Sequence, residues 1–298
     1  MTKHDPELRR ILEAERLDPE GPKMREVQGA RAEVEGILRD AFGTTGLSIR
    51  YGGSKVKGMM LKCSYDLDLL TYFHRDNDVA GSTLPAIFKS VGDVLAEHYH
   101  IKPGTTAVRL HAKGDQTSGP GLRIDVVPGR FIDESRTKVF LHQRDGEKGR
   151  LMTDPDEHIR FVRDSGVVEP ASLLKLWRIN NGLLIRQFPF EILCINLLKP
   201  MKHLGLADQI TRTLGIISGM HAAPSVKDPA NPDNDLSRLL TPDIWADLCA
   251  GATQALAIFQ RQGWAGILLT EPVADARAEL ATAVKSVHIA TKPWCPRG

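Results

Sequence analysis

The hydrophobic pattern of this chain changes period near residue 150, and that change limits the possible folds more than any other feature. Between residues 105 and 143, apolar and polar residues alternate in short runs at 107–112, 122–127 and 139–142, separated by Gly, Pro, Ser and Asp. A period of two with such punctuation belongs to strands. Beyond Asp154-Pro155, itself a helix-start pair, the runs 156–164, 170–185, 190–203, 206–218, 242–262 and 272–287 read as helices. Upstream, 5–41 reads as two helices broken by Pro19, Gly21 and Pro22, then strands at 48–51 and 67–73 and a helix at 84–99. Residues 228–235, Asp-Pro-Ala-Asn-Pro-Asp-Asn-Asp, are so rich in turn formers that a loop is expected. The expected fold class is α+β. A mixed lobe with an N-terminal helix spans 1–150, and a helical lobe spans 151–298.

The length of 298 residues suits two lobes of roughly 150 residues, each able to bury its own core. Lys and Arg number 39 against 37 Asp and Glu, a net charge of +2, so the surface as a whole is no strongly positive field. Any nucleic-acid site must then be local, and a long nucleic-acid footprint is not expected. No apolar run approaches the roughly 18 residues of a membrane span, and the first residues form no hydrophobic leader. The expected setting is cytoplasmic. Cys63, Cys194, Cys249 and Cys295 form no Cys-x-x-Cys pair, which argues against a zinc ribbon and a disulfide framework, and they read as reduced thiols.

The chemistry concentrates in Tyr51-Gly-Gly-Ser-Lys-Val-Lys-Gly and the following Asp66-Leu-Asp-Leu-Leu. Side chains alternate along a strand, so Asp66 and Asp68 share one face while Leu67 and Leu69 enter the core. Two adjacent carboxylates repel, and a hard divalent cation between them removes the penalty. Asp125 has the same logic within Leu122-Arg-Ile-Asp-Val-Val, leaving an apolar strand on its polar side. If the two strands are neighbours, the three acids can hold two metal ions roughly 3.5–4 Å apart, the spacing that clamps an in-line phosphoryl displacement. Gly52-Gly53-Ser54 lets the backbone approach a ligand and offers N–H groups and a hydroxyl to an anion, while Arg50, Lys55, Lys57 and Lys62 make the neighbourhood basic. The chain has no P-loop, His-Glu-x-x-His or Gly-x-Ser-x-Gly motif.

At these residues the sequence resembles the DNA polymerase β-type nucleotidyltransferase superfamily, with Gly53-Ser54, Gly58, Asp66/Asp68 and a later Asp125 in family order. It differs at Met59 and Tyr65, where Thr and Ser are usual. The helical half resembles the cGAS/DncV-like branch, which includes bacterial cyclic oligonucleotide synthases and is related to oligoadenylate synthetases. The matching segments are Leu174-Lys-Leu-Trp177, Phe190-Glu-Ile-Leu193 and Asp228-Pro-Ala-Asn-Pro-Asp-Asn234.

The resemblance implies a polymerase β-like lobe packed on a helical lobe, with the active site in the cleft between them. It further implies an enzyme, a nucleotidyltransferase that makes cyclic or linear oligonucleotide messengers from ATP or other NTPs, in the antiphage branch of the family. Asp66, Asp68 and Asp125 would bind two Mg²⁺ ions, with Mn²⁺ as a substitute. Gly53 and Ser54 would hold the β- and γ-phosphates. Lys175 would reach the phosphates from the helical lobe; the plain alternative is a solvated helix lysine. Trp177 reads as core, and His142, His158, Arg160 and Arg163 read as ordinary side chains unless the cleft recruits them. No regulatory protein partner is specified by these motifs. The competing functions are an enzyme that adds nucleotides to RNA or tRNA 3′ ends, and a catalytically silent nucleotide-binding module.

Overall fold

A computed structural model describes residues 4–113, 122–146 and 148–269. The expected helix at 272–287 and Cys295 lie outside the described residues. Helices α1 (Asp5–Glu15) and α2 (Pro22–Phe42) lead into β1 (Leu47–Tyr51), the short α3 (Gly53–Lys57) and β2 (Asp66–Phe73). Then come α4 (Leu84–Ala96), β3 (Tyr99–Pro103), β4 (Val108–Ala112), β5 (Arg123–Phe131), β6 (Val139–His142) and β7 (Arg150–Thr153). The remainder is mostly helical: α5 (Pro155–Arg163), α6 (Val168–Asn180), α7 (Gln187–Leu198), α8 (Leu206–Gly219), a ribbon of β8 (Lys227–Asp228) and β9 (Asn231–Asp235), α9 (Pro242–Gln262) and α10 (Ala265–Leu268).

Seven strands form one mixed sheet in the order β1-β2-β5-β4-β3, with β6 added to β5 and β7 to β6. Strand β5 is its centre. It runs parallel to β2 along eight paired positions, while its other edge is taken first by β4 and then by β6. The expected strand at 122–127 stopped where Pro128 reads as a breaker, but β5 continues to Phe131. Pro128 falls between the last β4 partner, Val126, and the first β6 partner, Gly129, where the ladder changes neighbours. Gly129 is needed at that changeover, since a Cβ there would lie 2.7 Å from Leu141 Cδ2 and 3.0 Å from the Phe140 carbonyl.

Two other expectations are corrected. The helix at 84–99 ends at Ala96, and Tyr99, buried, opens β3, paired with Ala112. Residues 228–235 are no plain loop, because β8 and β9 pair antiparallel there.

One face of the sheet is sealed by α2 and α4, with Leu67, Leu69, Ile124 and Val126 packed against Val34, Leu38, Ile87 and Val91. A separate core fills the helical half around Leu173, Leu176, Trp177, Ile192 and Ile195. Leu8, Ile11 and Leu12 of α1 join that second core, and buried Asp5 accepts the backbone N–H of Ala207 at 3.1 Å in the first turn of α8. Met59 and Leu61, just after α3, also join it. The Gly-Ser turn is therefore fixed at the junction of the two cores.

Candidate active site

Alternation along β2 places Asp66 and Asp68 on the face opposite Leu67 and Leu69, as the period of two requires. The parallel register sets Asp68 opposite Asp125 and Asp66 opposite Arg123. On the other side of β5, Arg109 stands opposite Asp125. Two acids and two arginines from three neighbouring strands thus crowd one patch of the sheet, with Asp66 one step along β2.

The turn before α3 closes over this patch. Gly52 donates its N–H to the Asp68 carbonyl at 2.8 Å, which brings the chain down onto β2. Gly53 has φ +56°, and a Cβ on it would fall 1.7 Å from Asp68 Oδ2. Only glycine permits both the left-handed backbone and the close approach of the carboxylate. The turn ends at Gly58, φ +73°, the left-handed cap of α3.

Charge is distributed unevenly among the acids. Burial, with the neighbouring Asp66 and Asp125 charges added, pushes the Asp68 carboxyl up to about 6. Burial would raise Asp125 as well, but hydrogen bonds from Arg109 and the charge and hydrogen bonds of Arg123 outweigh it and hold that carboxyl below the usual range. Among the described residues, no three His, Cys, Asp or Glu side chains converge closely enough to hold a metal ion. Asp125 has both its oxygens turned to Arg109 and Arg123. Both arginines were missed in the sequence. Their signal was the same alternation that marked the acids, since Arg109 interrupts Val108 and Leu110, and Arg123 stands two residues before Asp125.

Lys175 is not a solvated helix lysine. It is 2% exposed, and Nζ donates to Ser54 Oγ and to the Met59 carbonyl, each at 2.9 Å. Burial pushes its pKa down to about 8, against the attraction of Glu191. A second contact between α3 and α7 lies beside it: Lys57 Nζ donates to Glu191 Oε1 at 2.5 Å, with both side chains largely buried. Lys57 also lies over the Phe188 ring, 5.4 Å from its centroid. The helical half thus grips α3 through Lys175–Ser54 and Glu191–Lys57.

Other candidates fall elsewhere. Trp177 is a core residue. His142 contacts the Gly149 carbonyl through Nδ1 at 3.2 Å, and Arg160 pairs with Glu157 on the surface. Arg163 is exposed. His158 donates from Nε2 to Asp228 Oδ1 at 2.6 Å, and Asp228 also accepts from the Ala230 backbone and from Asn234, so this cluster orders the β8–β9 ribbon.

The fold is shared with solved CD-NTases. CdnG from Bradyrhizobium diazoefficiens, solved in complex with GTP, matches with a TM-score of 0.64 at 12% identity, over 95% of this chain and 99% of that one. CdnC from E. coli MS115-1, solved with ATP, matches with a TM-score of 0.62 at 17% identity, over 89% and 97%. CdnE from Elizabethkingia meningoseptica, a cyclic dinucleotide synthase solved with GTP and Apcpp, matches with a TM-score of 0.59 at 13% identity, over 86% and 98%. No family model matches the sequence, and neither does any curated protein. At these identities the likeness is one of fold: a polymerase β-like mixed sheet joined to a helical half, over nearly the whole length of each relative.

Proposed function

We propose that this chain is a nucleotidyltransferase that joins nucleoside triphosphates into cyclic or linear oligonucleotides and releases pyrophosphate. The observation that carries the reading is the register pairing of Asp68 with Asp125, with Asp66 two residues before Asp68, under a turn where Gly53 leaves no room for a side chain. The fold supports it, because three proteins that share it were solved with ATP, GTP or a nucleotide analogue.

The donor set suits a hard divalent ion. Asp66, Asp68 and Asp125 offer oxygen ligands only, and burial, with the Asp66 and Asp125 charges added, raises the Asp68 carboxyl, a cost that a divalent ion held among the three would relieve. Held by these three residues, two magnesium ions, or manganese in their place, would lower the pKa of an attacking ribose hydroxyl and offset charge on the leaving pyrophosphate. The chain's own groups do the positioning. Gly53 and Ser54 receive the β- and γ-phosphates, where a backbone without Cβ and a hydroxyl can approach them closely. Lys175 fixes the Ser54 hydroxyl from beneath and brings a positive charge under the phosphates, and the Glu191–Lys57 pair holds the far end of the same turn.

The setting we infer is the cytoplasm, with the product acting as a second messenger in antiphage defence. Among the described residues, no helix is long and apolar enough to cross a membrane. The relative CdnC is also solved in complex with a HORMA protein, and a regulatory partner is part of this reading.

The test is purified full-length protein with Mg²⁺ and the four labelled NTPs, singly and mixed, without acceptor. Phosphatase-resistant cyclic products, or linear oligonucleotides resolved by mass, are expected. Label transferred only after RNA is added would replace this reading with end addition to RNA, and no transfer in either case would leave a silent binding module. Asp68→Asn is expected to lose at least about 100-fold in turnover, the loss that follows removal of one preorganised electrostatic group. Circular dichroism should show the fold intact, and wild-type turnover in that variant would remove Asp68 from the chemistry.

A further inference from the structure

Asp125 is held by four hydrogen bonds from two arginines. Arg109 Nε donates to Oδ1 at 2.8 Å and Nη2 to Oδ2 at 3.3 Å, while Arg123 Nη2 and Nε both donate to Oδ2, at 2.7 and 3.1 Å. Arg123 reaches a second acid as well, with Nη1 3.8 Å from Asp66 Oδ2. Its guanidinium therefore bridges the first and third carboxylates across β2 and β5, the space a cation must enter to be shared by them. The two arginines are not equivalent. The Arg109 side chain is 25% exposed and is set opposite Asp125 by the β4–β5 register, whereas that of Arg123 is 47% exposed at the first residue of β5. Arg109 is the fixed partner; Arg123 has solvent to swing into.

We propose that Arg123 is a resident counter-cation, which neutralises Asp66 and Asp125 in the ligand-free enzyme and must be displaced before these acids can take a divalent ion. Arg109 stays in place and fixes the Asp125 rotamer. The inference rests on the metal-binding reading of the three acids given above. Arg123 thereby guards against idle metal binding, because the exchange of guanidinium for a divalent ion becomes favourable when a triphosphate brings further ligands and charge to the site. The swap is feasible because Arg123 is the half-exposed member of its pairs, and Asp125, 8% exposed, keeps the hydrogen bonds of Arg109 when Arg123 leaves.

The experiment is Mn²⁺ titration of the nucleotide-free full chain at fixed ionic strength, with free Mn²⁺ read by electron paramagnetic resonance. Arg123→Met should tighten Mn²⁺ binding by roughly fivefold or more, the effect of removing one competing ion pair whose arginine is half exposed. Arg123→Lys, which keeps the charge but cannot fork to two carboxylates, should fall between wild type and the Met variant. Equal affinity in wild type and Arg123→Met overturns the proposal. So does an Arg123→Lys chain indistinguishable from wild type while Met binds tighter, which would assign the change to net charge alone. Asp68→Asn separates the two layers. If it leaves Mn²⁺ affinity unchanged, the metal-binding reading itself fails; if it weakens binding while Arg123→Met does not tighten it, only the counter-cation role is lost.

Discussion

The two faces of the β2–β5 pair place their side chains under opposite demands. On one face, Leu67, Leu69, Ile124 and Val126 are buried beneath α2 and α4. On the other, Asp66, Asp68, Arg123 and Asp125 crowd together, and Asp68 is pushed up to about 6 by burial and by its acidic neighbours. The first face stabilises the fold, while the second disfavours the charge on Asp68 even as Arg109 and Arg123 favour that on Asp125. A slip of one residue in the pairing would exchange the faces, so the apolar contacts also determine which carboxylates meet. The precision of the site thus comes from residues that never touch substrate, and the electrostatic cost of placing acids together is offset within the same two strands.

The comparison breaks most visibly on its apolar side. Leu67→Ala removes a side chain that is 1% exposed between the two acids of β2, and should lower unfolding free energy by about 2–5 kcal/mol, as large-to-small core changes do. Urea unfolding measures this. A loss well under 1 kcal/mol would show that the register does not depend on this face. On the polar side, Gly53→Ala should do the reverse, with a modest stability change and a large functional one. The left-handed backbone costs an alanine about 1–2 kcal/mol. The new methyl group cannot coexist with Asp68 Oδ2, only 1.7 Å away, and a misplacement on the order of 1 Å can cost roughly 100-fold in rate. Turnover near wild type in a folded Gly53→Ala chain would mean that the carboxylate need not sit where the turn holds it.

How much of this was legible in the sequence depends on the range of the force involved. Alternation is local, so Asp66, Asp68 and Asp125 could each be assigned to the polar side of its strand, and Gly53 to a turn that needs glycine. The adjacency of β2 and β5 depends on non-local pairing across 50 residues and more, for which no local period exists. Arg109 and Arg123 obeyed the same alternation as the acids, yet arginines on a polar face look like solvated surface until the register brings them to Asp125. Helix α6 shows the converse limit. Its periodicity left a solvated lysine as the plain alternative to a phosphate contact for Lys175, but all its residues from Pro170 to Asn180 are buried, and amphipathic spacing has no meaning on a helix surrounded by protein. The β8–β9 ribbon was hidden by composition, since Asp and Asn are turn formers until a buried Asp228 gathers His158, Ala230 and Asn234 around it.

Lys175 sharpens the comparison at the smallest scale, because it is the helical half's counterpart to Asp68, an ionisable group set beside the site, and it is buried outright where Asp68 is partly buried. Burial lowers its pKa from 10.5 to about 8. A base whose folded pKa lies below its unfolded value binds fewer protons folded than unfolded between those two values, so its contribution to stability rises with pH across that window. Relative to Lys175→Met, which has no proton to lose, the wild type should gain about 2 kcal/mol between about pH 8 and pH 10. The remaining titratable groups are common to both chains and cancel in the difference. Urea midpoints collected for the two proteins across this range test the sign directly. Curves that stay parallel would show that Lys175 keeps an ordinary proton affinity, and that its hydrogen bonds to Ser54 and Met59 fully compensate for its removal from water.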